Sequence, residues 1–126
     1  MLGDHRITPV LLAKDLAESR EFYHDRLGLE ILKEDEAEIV FKCGGGTHLE
    51  LTKSTVGTAD EQTQAAWQVE DIRSEVEELR ARGVKVEDYD SPGLKTDGGI
   101  ADLGFAWAAW IVDPGKNALG IVQFKE

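Results

Sequence analysis

Apolar and polar residues are arranged most clearly near the C-terminal end of the chain. Two apolar runs within residues 110–124 flank the polar sequence Asp-Pro-Gly-Lys-Asn at 113–117. Pro114 presets its own φ, and Gly115 and Asn117 accept the positive φ that tight turns require. The pattern predicts a β-hairpin that closes a sheet.

The beginning of another pattern occurs twice, at Ala13–Leu16 and at Val69–Ile72. Each copy consists of an apolar residue, a charged residue, Asp and an apolar residue. Each leads into a charged amphipathic segment that ends in glycine and is followed by a β run. The aspartates are predicted N-caps, because their short carboxylates accept hydrogen bonds from the first helical turn. The repeat predicts two strand–helix–strand–strand–strand modules.

Short runs of β-branched, aromatic or alternating residues indicate the strands. In the strand at 47–52, Leu49 and Leu51 fall on one face, and His48 and Glu50 fall on the other. The remaining predicted strands are residues 7–13, 29–33, 38–43, 64–69, a run beginning at 84–86, 105–112 and the second arm of the hairpin.

The chain is predicted to be one α+β domain over residues 1–126. Module 1 covers about residues 5–53 and module 2 about residues 64–126. The polar segment Lys53–Thr63 is the predicted linker. Residues 87–104 combine several glycines with charges and no clear period, and we interpret them mainly as a long mobile loop.

Composition limits the classes of partner. The formal net charge of −11 argues against nucleic acid and against anionic membranes, which both attract basic surfaces. An acidic surface favours cationic or neutral ligands, or simply solubility. No apolar run approaches the ~20 residues needed to cross a bilayer, and the first residues lack a signal-peptide core. We therefore expect a cytoplasmic protein.

The single cysteine, Cys43, excludes an internal disulfide and a cysteine-rich zinc site. A cysteine in a strand is usually a small buried hydrophobe. A nucleophilic role would require an electropositive setting, and the neighbouring sequence supplies only Lys42.

Several of these motifs together resemble the vicinal oxygen chelate superfamily, which includes glyoxalase I, bleomycin-resistance proteins and extradiol dioxygenases. The resemblance lies in Ile7–Val10, Lys14–Leu16, Phe22–Tyr23, Leu27–Leu29, Val69–Ile72, Asp113–Pro114 and Asn117. It implies two tandem βαβββ modules that form curled mixed sheets around a cavity. It also implies a homodimer.

Metal-bearing members of this superfamily supply His, Gln or Glu from four strand positions. The resemblance places Thr8, Glu50, Gln64 and Gly120 at these positions. Only Glu50 is a strong ligand, since divalent ions favour several imidazole or carboxylate ligands. We therefore expect no metal and no other cofactor.

Two alternatives for Glu50 stay open. With His48 it could share a metal, because the two side chains leave one strand on the same face, about 6–7 Å apart. A third ligand would then have to come from elsewhere. A Glu50 carboxylate in apolar surroundings could also act as a general base. The simpler interpretation is a carboxylate paired with a local donor.

The tryptophans suggest an aromatic contact with a ligand. Trp107 and Trp110 are three residues apart on one predicted strand, so they point to opposite faces. Trp110 is the better cavity candidate, because it pairs with Gly120 across the predicted hairpin. Trp107 and Trp67 are expected on the helix side.

The sequence thus favours a metal-free protein that binds a small organic molecule in the inter-sheet cavity, resembling antibiotic-sequestering proteins. The alternative is a glyoxalase-like lyase or isomerase, or a dioxygenase-type enzyme, that uses Glu50 with His48. The predicted ligand-binding residues are Thr8, His48, Glu50, Gln64, Gln68, Trp110 and Gly120.

Overall fold

The computed structural model describes residues 1–55, 57–58 and 62–125. The chain divides into two compact units. Unit 1 comprises Met1–Asp60 and Pro114–Asn117, and unit 2 comprises Glu61–Asp113 and Ala118–Glu126. Residues 56 and 59–61 of the predicted linker lie outside the described residues. Within the described ranges, no helix is both long and apolar enough to cross a membrane.

Unit 1 contains one helix and a four-stranded sheet. Its strands lie in the order β1-β4-β3-β2, with β1 parallel to β4 and the other pairs antiparallel. The helix α1 continues into a π-helical segment, Glu21–Arg26. The elements are β1 Val10–Ala13, α1 Leu16–Arg20, β2 Glu30–Glu34, β3 Glu38–Lys42 and β4 His48–Lys53, with 3₁₀ turns at Leu2–Asp4 and Gly44–Gly46.

Unit 2 repeats this plan with additional strands. Its order is β5-β10-β9-β8-β7-β6, with β5 parallel to β10 and the other pairs antiparallel. The elements are β5 Thr63–Gln68, α2 Ile72–Ala81, β6 Asp90–Ser91, β7 Leu94–Asp97, β8 Ile100–Asp102, β9 Ala106–Val112 and β10 Ala118–Phe124.

The predicted α+β class and the repeated module are confirmed. In each unit the first strand pairs in parallel with the last strand, which then pairs with its antiparallel neighbour. The N-caps are also confirmed, because Asp15 accepts a hydrogen bond from the Glu18 N–H, and Asp71 accepts one from the Ser74 N–H. The enclosure of one cavity by the two sheets stays a prediction.

Four local predictions were wrong. Residues 87–104 contain the short strands β6, β7 and β8, which extend the sheet, so this segment is not mainly a loop. Residues 84–86, although described, form no strand. The first strand begins at Val10, so Thr8 precedes it. In the hairpin turn the positive φ is taken by Lys116, at 67°, and not by Gly115 or Asn117.

In each unit, one face of the sheet carries the core and lies under the helix. In unit 1 the core includes Tyr23 and Phe41, whose ring centroids are 5.5 Å apart. In unit 2, α2 contacts β9 and β10, and the buried residues Ile72, Val76 and Ile111 belong to these elements. Residues that alternate with these lie on the face away from the helix, which we call the open face; in unit 2 it includes the buried residues Ala106, Ala108 and Ala118.

The hairpin turn at 114–117 groups with unit 1 and is held there by Asn117. This side chain is fully buried. Its Nδ2 donates to the Leu12 carbonyl oxygen at 2.9 Å, and its Oδ1 accepts from the Thr58 hydroxyl at 2.6 Å. Asn117 therefore joins the turn to β1 and to the linker.

Candidate functional site

The open face of unit 1 combines apolar and carboxylate side chains. Glu50 on β4 lies beside Val10 of β1 on one side and Val40 of β3 on the other. Val10 is 50% exposed, and Leu12, also on β1, is 39% exposed. The predicted alternation along β4 agrees with the burial of its residues. Leu49 and Leu51 are buried on one face, and Glu50 on the other face is only half-buried.

Glu50 forms a carboxyl–carboxyl pair with Glu38 of the adjacent strand. The hydrogen bond with Glu38 is the main cause that raises the pKa of Glu50, and burial and the Glu38 charge add to it. The same hydrogen bond lowers the pKa of Glu38, with help from Lys33, whose Nζ lies 3.0 Å from Glu38 Oε1. Of the two carboxyls, Glu50 is therefore the one that takes up a proton first as pH falls. Glu38 was not predicted from the sequence, where it is one glutamate among many.

The other predicted unit 1 residues lie apart from this pair. His48 is exposed at the start of β4, opposite Lys42 of β3. Thr8 is exposed and precedes β1. Among the described residues, the groups that shift the pKa of Glu50 are Glu38 and Lys33, not His48 or Thr8.

The open face of unit 2 is lined by small residues beside one large aromatic ring. Trp110 of β9, Gly120 of β10 and Ala66 of β5 form one row across three strands. The next row is formed by Ala108, Val122 and Gln68. Trp110 thus pairs with Gly120, as the hairpin predicted, and its place in a ligand cavity stays a prediction.

The indole of Trp110 is fixed by a hydrogen bond. Its Nε1 donates to the Thr63 hydroxyl of β5 at 3.1 Å, across the strand that carries Gly120. A Cβ added at Gly120 would lie 3.2 Å from the Ala66 Cβ and 3.4 Å from the Thr63 Cγ2. A side chain at this position would require Ala66 or Thr63 to shift by a few tenths of an ångström.

Tyr89 completes the aromatic part of this face. Its ring centroid lies 5.6 Å from that of Trp110, with an interplanar angle of 88°. Sequence reasoning missed Tyr89 because it lies in the segment that was interpreted as a loop. The short strand pairing of this segment could not be recognised from its mixed charges and glycines.

Gln64 is placed differently from its prediction. A register shift in the β5–β10 pairing separates Thr63, opposite Ala118, from Ala65, opposite Leu119. Gln64 is the extra residue, and its Oε1 accepts from the Ala118 N–H at 3.2 Å. The bulge breaks the alternation that would have aligned Gln64 with Gln68, and the amide oxygen of Gln64 is used within the sheet.

The four family ligand positions do not fit a divalent ion. Gly120 has no donor atom, Thr8 is exposed outside its strand, and the Gln64 oxygen accepts a backbone hydrogen bond. Glu50 alone has a carboxylate, and the neighbouring Glu38 raises its pKa. No group of three or more His, Cys, Asp or Glu side chains suited to a metal ion occurs among the described residues.

A second feature lies on the helix side of unit 2. A pocket of about 180 Å³ is lined by Asp71, Ile72, Arg73, Ile100, Trp107 and Gln123. Gln123 Oε1 accepts from the Ile72 N–H at 2.9 Å, and Lys125 Nζ lies 4.7 Å from the centre of the Trp107 ring. The Gln123 amide oxygen and the Trp107 ring are therefore already engaged within the unit. Trp107 lies on the helix side, as predicted.

The fold and these positions define the class of protein. Residues 5–121 match the model of the Glyoxalase/Bleomycin resistance protein/Dioxygenase superfamily. The chain belongs to this superfamily, which confirms the resemblance read from its motifs. No curated protein matches the chain.

Solved structures share the fold at low sequence identity. A glyoxalase/bleomycin resistance protein/dioxygenase from Alicyclobacillus acidocaldarius has a TM-score of 0.73 and 16% identity, with 98% of this chain and 93% of that chain covered. A bleomycin-binding protein complexed with bleomycin has a TM-score of 0.71 and 20% identity, covering 96% and 99%. A lactoylglutathione lyase from Agrobacterium tumefaciens has a TM-score of 0.64 and 23% identity, covering 94% and 92%.

Proposed function

We propose that this protein binds a small organic molecule without a metal ion. The observation that supports this most is the Trp110–Thr63 hydrogen bond beside Gly120. At the place where metal-bearing relatives need a ligand, this chain has glycine next to an ordered aromatic ring. Such a surface favours an organic molecule, because ligand sites are mainly apolar with a few polar groups.

Polar groups available to orient the ligand differ between the two units. The open face of unit 2 offers the exposed Gln68 amide beside Val122. The open face of unit 1 offers His48 and the Glu38–Glu50 pair beside exposed Val10. A bleomycin-binding protein among the structural neighbours is consistent with this role.

The test combines metal analysis with a ligand screen. Purified protein is dialysed against a chelator and screened against a library of small organic compounds by ligand-observed NMR. We expect at least one compound to bind the chelator-treated protein. Trp110→Leu should weaken this binding. Trp107→Phe, a change on the helix side, should leave it unchanged. Thermal melting checks that both variants fold. The proposal is overturned if no compound binds, or if binding requires a stoichiometric metal that Glu50→Gln removes.

The second candidate is an enzyme that uses Glu50 as a general acid or base. The observation in its favour is the raised pKa of Glu50. A general acid or base works best when its pKa lies near the operating pH, and the shift of Glu50 is in that direction. A Glu50→Gln variant that keeps full ligand affinity but no longer converts the ligand would favour this candidate. Equal recovery of unchanged ligand from wild type and variant would exclude it.

We also propose that the protein is a homodimer, as the superfamily resemblance implies. Exposed apolar side chains near the β1 edge of unit 1, including Ile7 and Val10, are consistent with a contact between copies. Sedimentation equilibrium of the full chain tests this proposal. A single species of monomer mass at micromolar concentration would contradict it.

A further inference from the structure

The geometry points to a planar aromatic ring as the ligand group that unit 2 holds, with Tyr89 as a specificity-determining residue. This inference rests on the proposed function and narrows it. It depends on how the rings of Trp110 and Tyr89 are oriented and fixed, and on what surrounds them.

The two rings form a right-angled corner. Their planes meet at 88° with centroids 5.6 Å apart, and both side chains are half-buried. The plane of a flat ring stacked parallel to one of them is perpendicular to the plane of the other. Within the corner, the edge of such a ring points toward the face of the other ring, or the reverse. Both offset-stacked and edge-to-face contacts are favourable for aromatic pairs. A planar ligand can therefore make both contacts at once.

Trp110 is fixed before any ligand arrives. Its indole N–H donates to the Thr63 hydroxyl, so the ring needs no hydrogen-bond acceptor from a ligand. Because its orientation is set by the protein, little side-chain entropy is lost when a ligand contacts it.

Tyr89 is fixed through its backbone. The Tyr89 N–H donates to Thr96 Oγ1 at 2.8 Å, and the Thr96 N–H donates to the Tyr89 carbonyl oxygen at 2.9 Å. Two residues earlier, the Glu87 N–H donates to the Trp110 carbonyl oxygen at 2.8 Å. These bonds join the segment that carries Tyr89 to the strand that carries Trp110.

The neighbours of Trp110 on the sheet are small. Gly120 and Ala66 follow it in the same row, and Ala108 lies two residues away on its own strand. Ala66 is exposed and both rings keep part of their surface exposed, whereas Gly120 and Ala108 are buried. A planar group would approach the exposed part of the rings from the side of Ala66.

The experiment compares two probes with the same carbon skeleton. They are 2-naphthylmethanol, which is planar, and decahydro-2-naphthylmethanol, which is saturated. Dissociation constants are measured by ligand-observed NMR for the full chain and for Tyr89→Leu, Tyr89→Phe and Trp107→Phe. Thermal melting of each variant shows whether it folds.

We expect wild type to bind the naphthyl probe more tightly than the saturated probe. Losing one aromatic contact in Tyr89→Leu should weaken naphthyl binding about two- to twelvefold, with less effect on the saturated probe. Tyr89→Phe keeps the ring and should bind as wild type. Trp107→Phe, on the helix side, should also bind as wild type.

Several outcomes overturn the inference. One is equal affinity for both probes, and another is a Tyr89→Leu variant with unchanged naphthyl affinity. Failure of the naphthyl probe to bind, while other compounds of the library bind, overturns the inference and leaves the proposed function intact. Failure of every compound overturns both. If Tyr89→Leu does not fold, the comparison of the two probes on wild type decides alone.

Discussion

Trp110 and Thr63 lie on strands separated by β10 and are joined by a 3.1 Å hydrogen bond from the indole N–H to the threonine hydroxyl. The bond passes the one residue of the row that has no side chain, Gly120. The ordered position of the Trp110 indole therefore depends on two neighbours, Thr63 and Gly120. The first two predictions test this link.

Removal of the Thr63 hydroxyl should loosen the indole. Thr63→Val keeps the shape of the side chain but leaves the Trp110 N–H without its partner, which we expect to cost about 0.5–1.5 kcal/mol. Urea unfolding measures this change. Thr63→Ser keeps the hydroxyl and is the control. Equal stability of the valine variant and wild type would show that the hydrogen bond contributes nothing.

A side chain at position 120 should be unfavourable in the present surroundings. Gly120→Ala places a methyl group 3.2 Å from the Ala66 Cβ, and such overpacking costs about 1–3 kcal/mol. The double variant Gly120→Ala with Ala66→Gly should recover part of this loss, because it removes the nearest atom. Thermal and urea unfolding of the single and double variants provide the comparison. A double variant that is no more stable than Gly120→Ala would contradict the assigned contact.

The Glu38–Glu50 pair should make stability depend on pH. The raised pKa of Glu50 means that its contribution is complete below its ordinary pKa of 4.5 and is lost as pH rises through the raised value. The lowered pKa of Glu38 has the opposite effect, since its contribution is lost as pH falls through the lowered value.

Glu50→Gln tests the first of these effects. Its amide can donate to Glu38 at every pH, so the melting temperature of the variant relative to wild type should rise as pH increases above 4.5. Melting curves between pH 4 and 8 measure this difference. His48→Gln, on the same strand but outside the pair, is the control for the Glu50 effect. A difference in melting temperature between Glu50→Gln and wild type that stays constant with pH would be evidence against the raised pKa of Glu50.

Asn117 should be important for the stability of unit 1. Asn117→Ala leaves the Leu12 carbonyl and the Thr58 hydroxyl without this partner, and we expect a loss of about 2–3 kcal/mol. Thr58→Val removes only one of the two bonds and should cost less. Urea unfolding ranks the variants. A larger loss in Thr58→Val than in Asn117→Ala would contradict the assigned role.

The repeat was predictable because its signals are local. Each aspartate N-cap lies directly before an amphipathic segment, and each helix is followed by glycine and a β run. The pairing of Trp110 with Gly120 also followed from the hairpin turn, since the turn fixes which residues lie opposite each other.

The details of the site were less predictable because they depend on long-range register. The bulge at Gln64 arises from the pairing of β5 with a strand more than fifty residues away, and no local pattern indicates it. Tyr89 meets Trp110 because segment 87–89 lies beside β9. Glu38 meets Glu50 through pairing of β3 with β4, where sequence reasoning considered only neighbours on the same strand.

The inclusion of residues 114–117 in unit 1 has a consequence for synthesis of the chain. A ribosome completes every strand of the first sheet by Lys53, yet the asparagine that binds Leu12 and Thr58 is translated only after most of unit 2. Unit 1 therefore lacks this contact until the segment that carries Asn117 has emerged. Truncation just before the final hairpin would weaken both halves of the molecule.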